Sequence, residues 1–204
     1  MKLPKIFIAL TAIACFAFAP KNDVRTFSVV LDAGHGGNDF GATIDDVTEK
    51  QITGQIVAKI QELNQNQDVK IEVTRVSDAQ ASLDERTALI NRVKPDLVLS
   101  LHVNANPDPG ASGVEIYTPK AEAATSEQSN IFAQKLSGKL EQKLNMKVRS
   151  IKPAAFHILN KSASPALIVD LGYLTNAADR AFLTDSNSQE EIAGTILEFI
   201  TDMK

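Results

Sequence analysis

Apolar positions along the chain switch repeatedly between short runs and helical spacing. Thr26–Ala33 (TFSVVLDA) is a short apolar run that predicts a buried strand. Thr48–Leu63 places Ile52, Ile56, Ile60 and Leu63 on one helical face. Lys70–Arg75 (KIEVTR) alternates with the period of a strand. Ser82 with Glu85 three residues later forms a capping box, opening a helix over Ser82–Val93 that Pro95 ends. Asp96–Val103 (DLVLSLHV) and Gly113–Thr118 (GVEIYT) read as strands. Ser126–Leu144 is a long helix with Ile131, Leu136, Leu140 and Leu144 as its apolar positions. Phe156–Leu159 predicts a short edge strand with His157 at its surface, and Ala166–Leu171 (ALIVDL) an apolar strand carrying one carboxylate. Glu190–Thr201 closes the chain as a helix. Strands alternating with helices imply an α/β fold, its mostly parallel sheet covered by helices on both faces. Functional groups in such sheets gather at the carboxyl ends of the strands.

With 204 residues, 44% hydrophobic and 23% charged, the chain has the length of one domain with a real core. The first nineteen residues do not belong to that core. Lys2 and Lys5 precede an uncharged run, Ile6–Ala19, that is too short to span a bilayer comfortably but fits a signal peptide. Ala17-Phe18-Ala19 supplies the small-x-small cleavage pattern. A second reading takes Ala12-Ile13-Ala14-Cys15 as a loose lipobox, with Cys15 as the site of a lipid anchor; a third keeps the run as an uncleaved anchor. All three place the domain outside the cytoplasm, in a periplasm or on a membrane facing it. Residues 20–26 are then a short N-terminal segment, and 27–204 the domain. The net charge of −4 and pI near 5.4 argue against a sequence-independent nucleic-acid binder. Cys15 is the single cysteine, so the chain has no intrachain disulfide and no cysteine-cluster metal site.

Several strands finish in unexpected polar groups. The first runs into Asp32-Ala33-Gly34-His35-Gly36-Gly37, another ends in His102-Val103-Asn104, and the late apolar strand holds Asp170. Glu49 stands in the first turn of the first helix. Two imidazoles and a carboxylate form a donor set suited to Zn²⁺. Their spacing does not by itself bring them together, since 14 residues separate His35 from Glu49 and 53 separate Glu49 from His102.

The local strings carry more. VVLDAGHGGNDFGA (Val29–Ala42) resembles the opening motif of the zinc-dependent N-acetylmuramoyl-L-alanine amidases of the Amidase_3 family. Glu49 then opens the helix after that loop. VTRVSDAQASLDERTALIN (Val73–Asn91), LVLSLHVNAN (Leu97–Asn106) and PALIVDLGYLTNAAD (Pro165–Asp179) resemble the family's later motifs in the expected order. The likeness covers roughly residues 27–202.

The resemblance implies a sheet of about six strands and a Zn²⁺ held by His35, Glu49 and His102. It implies hydrolysis of the peptidoglycan amide that joins N-acetylmuramic acid to L-alanine of the stem peptide. The carboxylate of the family's last strand is a Glu, its general base; here the position is Asp170. Losing one methylene withdraws the carboxylate by roughly 1–1.5 Å, and a misplacement of ~1 Å can cost ~10²-fold in rate. Two readings follow: an active amidase with Asp170 as its base, or a weakened or inactive wall-binding or regulatory homologue. A zinc carboxypeptidase with a similar ligand set is a third class. Around the centre, Asn104 reads as a supporting group, Arg75 and Arg86 as residues holding the loops, Asp32 and Asp39 as orienters of the imidazoles, and His157 as an oxyanion or substrate contact. Stem-peptide preference, any need for an activator protein and the oligomeric state stay open.

Overall fold

A computed structural model describes residues 25–204, so the leader expected over 1–19 and the lipidation reading of Cys15 lie outside the described residues. The chain opens with β1 (Phe27–Ala33), a small hairpin of β2 (Thr43–Ile44) and β3 (Val47–Thr48), and α1 (Glu49–Leu63). Then come β4 (Val69–Val73), α2 (Leu83–Val93), β5 (Leu97–Asn104), β6 (Val114–Thr118) and α3 (Ser126–Leu144). The last elements are β7 (Val148–Pro153), α4 (His157–Lys161), β8 (Ala166–Tyr173), α5 (Ala177–Thr184) and α6 (Ser186–Asp202). Six strands form one sheet in the order β4-β1-β5-β8-β6-β7. Every neighbouring pair is parallel except β6 with β8.

Two layers of unequal thickness cover this sheet. On one face α1, α3 and α6 bury Ile56, Ile60, Leu136, Leu140, Ile196 and Phe199 against Leu31, Leu99, Leu101, Val169 and Leu171. On the other, Ile90 of α2 with Ile158 and Leu159 of α4 cover Val30, Val98, Ala166 and Ile168. The alternation of β5 separates the two sets: Leu97, Leu99, Leu101 and Val103 face the thick layer. Val98, Ser100 and His102 face the thin one. The site lies on the thinly covered face, where strand ends stay accessible beyond the short helices.

Most expected elements form, and helix α2 starts with its capping box intact: Ser82 Oγ accepts from Glu85 N–H, and Glu85 Oε2 accepts from Ser82 N–H. Four features differ from the expected elements. Phe156–Leu159 is not a strand but the N-cap and first turn of α4, because a four-residue apolar run fits either period. His157 is therefore the first residue of a helix rather than a residue on a strand. The edge strand is β7, whose mostly exposed sequence VRSIKP carries no apolar run, and its Pro153 sits where no ladder donor is needed. In α3 the buried stripe runs through Phe132, Ala133, Leu136 and Leu140, so Ile131 faces solvent. Helix α5, capped by Asn176, was not expected.

Candidate metal centre

Strand register builds the site. His102 of β5 is opposite Asp170 of β8, Asp170 is opposite Glu115 of β6, and Glu115 is opposite Ser150 of β7. Residues in register share a sheet face, so these four side chains form one row across four strands. Gly34, just past the end of β1, continues the row and donates its N–H to the Leu101 carbonyl at 3.0 Å. Any side chain there would collide with the imidazole, since a Cβ would fall 2.7 Å from His102 Nδ1. The chain then turns through His35, itself left-handed at φ 61° with Gly36 and Gly37 following at positive φ, and the ring is carried back over the strand ends.

Glu49 joins the two imidazoles. The hairpin β2–β3 delivers it to the first position of α1, where it is 4% exposed. Its Oε2 lies 3.0 Å from His35 Nε2 and accepts from Ala42 N–H at 2.9 Å. Its Oε1 lies 2.8 Å from His102 Nδ1 and accepts from Val103 N–H at 2.9 Å. The two rings stand edge to face, 5.1 Å apart. Donor atoms of His35, Glu49 and His102 all lie within 4.8 Å of one another, close enough to hold one metal ion. Gly41, at φ 64°, passes directly behind this cluster, and a Cβ there would reach 2.6 Å from His35 Cδ2.

Electrostatics favour positive charge at this point. Burial alone would raise the Glu49 pKa, but hydrogen bonds from His102 and His35 hold its carboxyl well below the usual carboxylate range. Reciprocally, the hydrogen bond to Glu49 and the charges of Glu49 and Asp39 push His35 up to about 9. A cation in place of those protons satisfies the same carboxylates. The donor set fits zinc: two nitrogens and one oxygen, leaving a fourth position toward a cavity of about 290 Å³. His35 Nδ1 lies 2.8 Å from Asp39 Oδ2, and the tautomer that donates its Nδ1–H to this carboxylate leaves Nε2 free to ligate.

Asp170 lines that same cavity with His35, Glu49, His102 and Asn104. It is 9% exposed and accepts from Asn104 Nδ2 at 2.8 Å. Burial pushes its pKa up to about 6; His102 opposes this and the charges of Glu49 and Glu115 add to it. A base that ionises there is a proton carrier near neutral pH.

The remaining expected residues sort by contact. Arg75 binds the backbone of the His35 loop, giving Nε to Ala33 O at 2.9 Å, and ties it to α1 through Lys50 O at 2.9 Å. Arg86 binds Ala33 O, His35 O and the Asp32 carboxylate. Both arginines thus contact the backbone of the loop that carries His35. Asp32 does not orient an imidazole: it lies on the same sheet face as His102 but opposite Ser100, two residues back from the strand end, where its oxygens go to Arg86, Thr74 and Ser100. Asn104 donates from Nδ2 to Asp170 and Glu115, and its Oδ1 accepts from Ala105 N–H. His157 Nε2 approaches Asp84 Oδ1 at 3.1 Å without hydrogen-bond geometry. Its ring lines a neighbouring groove of about 410 Å³ with His35, His102, Arg86 and Phe156.

Sequence reasoning missed two parts of the site. Lys50, beside Glu49, is buried and bonds Gly37 O and Asp78, locking the His35 loop from below. Glu115 receives hydrogen bonds from five side chains beside Asp170. Its signal was present as a lone carboxylate inside the otherwise apolar strand GVEIYT.

Fold and site together define a class: α/β proteins with an open imidazole–carboxylate centre at the carboxyl ends of parallel strands. Residues 29–202 match the Amidase_3 family, described as N-acetylmuramoyl-L-alanine amidase, and the chain belongs to that family. It is 33% identical over 168 residues to the N-acetylmuramoyl-L-alanine amidase CwlM of Bacillus licheniformis, covering 81% of this chain and 64% of that protein. The catalytic domain of CwlV, an N-acetylmuramoyl-L-alanine amidase of Bacillus (Paenibacillus) polymyxa, superposes with a TM-score of 0.80 at 27% identity, covering 87% of this chain and 98% of that domain. The CwlD amidase of Clostridioides difficile, solved in complex with the GerS lipoprotein, superposes with a TM-score of 0.80 at 25% identity, over 87% and 98% of the chains. The chain spans 64% and 63% of the length of the first two curated relatives it matches.

Proposed function

We propose that the chain is a zinc-dependent N-acetylmuramoyl-L-alanine amidase, exported by its N-terminal leader, that cleaves the amide between the lactyl group of N-acetylmuramic acid and L-alanine in peptidoglycan. Family membership and the names of the relatives support the reaction. The observation that carries it is the cluster of His35, Glu49 and His102 opening onto a cavity that Asp170 also lines.

When bound, zinc polarises the amide carbonyl and makes water acidic enough to attack near neutral pH. The protein's own residues do the rest. His35, Glu49 and His102 hold the ion, with Asp39 fixing the tautomer of His35. Asp170 takes one proton from the attacking water as the carbon–oxygen bond forms. It then returns that proton to the leaving nitrogen as the carbon–nitrogen bond breaks, freeing the amine of the stem peptide and a lactyl carboxylic acid, which gives up the water's second proton to solvent. The shorter aspartate sits in register with His102 on the adjacent strand and lines the same cavity as His35, Glu49 and His102. Arg75, Arg86 and Lys50 keep the His35 loop rigid, so the ligands need little reorganisation.

Digestion of purified murein by the full chain tests this. The expected result is about one zinc per chain and release of free stem peptides, lost on chelation and restored by zinc. Stoichiometric zinc with no peptide release would overturn it.

A further inference from the structure

The inference concerns Glu115 and rests on Asp170 being the base. Glu115 is 8% exposed and takes no part in the chemistry above. Its Oε2 accepts from Tyr117 Oη at 3.0 Å, Tyr173 Oη at 2.9 Å and Asn104 Nδ2 at 3.2 Å. Its Oε1 accepts from Lys152 Nζ at 2.9 Å and Ser150 Oγ at 3.2 Å. A carboxylate offers about four lone-pair sites, so five donors saturate it. Such a group is an anchor with no capacity left for substrate.

What it anchors is Asn104. The amide of Asn104 donates to Asp170 Oδ2 at 2.8 Å and to Glu115 Oε2 at 3.2 Å. Carboxylates only accept, so the NH2 end must face both of them, and one proton serves each. The Ala105 N–H closes the other end by donating to Asn104 Oδ1 at 2.8 Å. Asn104 is therefore fixed at three points, and its remaining proton points at Asp170. The Tyr117 hydroxyl also lies within reach of Asp170, but it spends its single proton on Glu115.

We propose that Glu115 is a positioning residue for the hydrolysis. By saturating itself with donors from four strands it sets the Asn104 amide, and that amide holds the short Asp170 carboxylate in the one orientation from which it serves the reaction. The register Asp170–Glu115 supplies the rigidity, because both residues lie in directly paired strands. A carboxylate one methylene shorter than the family's glutamate needs such a bridge from its neighbours.

Glu115→Gln isolates the effect. Glutamine sets one uncharged oxygen before Asn104 and the two tyrosines in place of a carboxylate, so the charge-assisted bond that sets Asn104 weakens while the fold is kept; Ser150 rotates and the half-exposed Lys152 turns to solvent. The full chain, Glu115→Gln, Asp170→Asn and the double variant are loaded with zinc and assayed on a defined muropeptide. The expected result for Glu115→Gln is a kcat lower by roughly 10- to 100-fold, a KM within about twofold, and unchanged zinc content. In the double variant the loss should not exceed that of Asp170→Asn alone, since Glu115 acts only through Asp170. An unchanged kcat, or losses that multiply in the double variant, would overturn the inference.

A second readout needs no activity. The Asn104 side-chain amide protons, assigned by NMR through their loss in Asn104→Ala, should move in both Glu115→Gln and Asp170→Asn. If only one substitution moves them, the bridge does not exist. A native protein inactive with zinc but showing the bridge overturns the amidase reading and leaves the bridge standing.

Discussion

Asp170→Asn has two consequences of opposite sign. With zinc bound, loss of the proton carrier should lower kcat by at least ~10²-fold, the scale of general-base catalysis. Without metal, the same substitution should stabilise the fold. The Asp170 carboxyl ionises near 6 where an unburied aspartate ionises at 3.8. At roughly 1.4 kcal/mol per tenfold change in proton affinity, the ionised group costs the folded state about 3 kcal/mol. The sign follows from linkage. Below pH 3.8 the carboxyl is protonated in both states and costs nothing. The penalty grows from pH 3.8 to about 6 and is constant above that. Asn keeps an acceptor for Asn104 and carries no charge, so it removes the penalty. For a chain of this size 1 kcal/mol moves Tm by about 2–4 °C, which predicts a gain of roughly 6–12 °C at pH 7.5. The assay is thermal unfolding of both proteins with a chelator present, followed by circular dichroism at pH 7.5 and pH 4.5. Equal or lower stability of the Asn variant at pH 7.5, or a gain that does not shrink at pH 4.5, would refute the burial and charge argument for this carboxyl.

Three further outcomes test the surroundings of the centre. Gly41→Ala forces a side chain onto His35 at a positive-φ position and should abolish stoichiometric zinc binding; a variant that retains one zinc at native affinity would contradict the packing. Asp39→Asn weakens the acceptor on His35 Nδ1 and should loosen zinc by roughly 10- to 100-fold in a chelator competition; unchanged affinity would show that Asp39 does not set that ring. Arg86→Met leaves Asp32, 1% exposed, buried without its cation and should destabilise by about 3–5 kcal/mol in urea unfolding; a loss below about 1 kcal/mol would mean water replaces the guanidinium.

The period of the apolar residues determined the fold class, since strand and helix must each bury a face and only an α/β layering satisfies both alternations. It marked β1, β5, β8 and α1 because their apolar faces are long and regular. It also marked the start of α2, because a capping box is a contact between residues three apart. The order of local motifs pointed to His35, Glu49, His102 and Asp170, and side-chain chemistry pointed to a metal. Tertiary structure alone decided what depends on neighbours distant in sequence. Edge strand β7 is visible only through its partner β6, since an exposed edge needs no apolar pattern. Asp32 turned from a possible orienter of histidine into an anchor for Arg86 because its register, opposite Ser100 and two residues short of His102 on the same face, surrounds it with Arg86, Thr74 and Ser100. Glu115 acquired its place because β6 runs antiparallel to β8 in one register. A shift of one residue would put that carboxylate on the opposite face, away from Asp170 and the cluster of His35, Glu49 and His102.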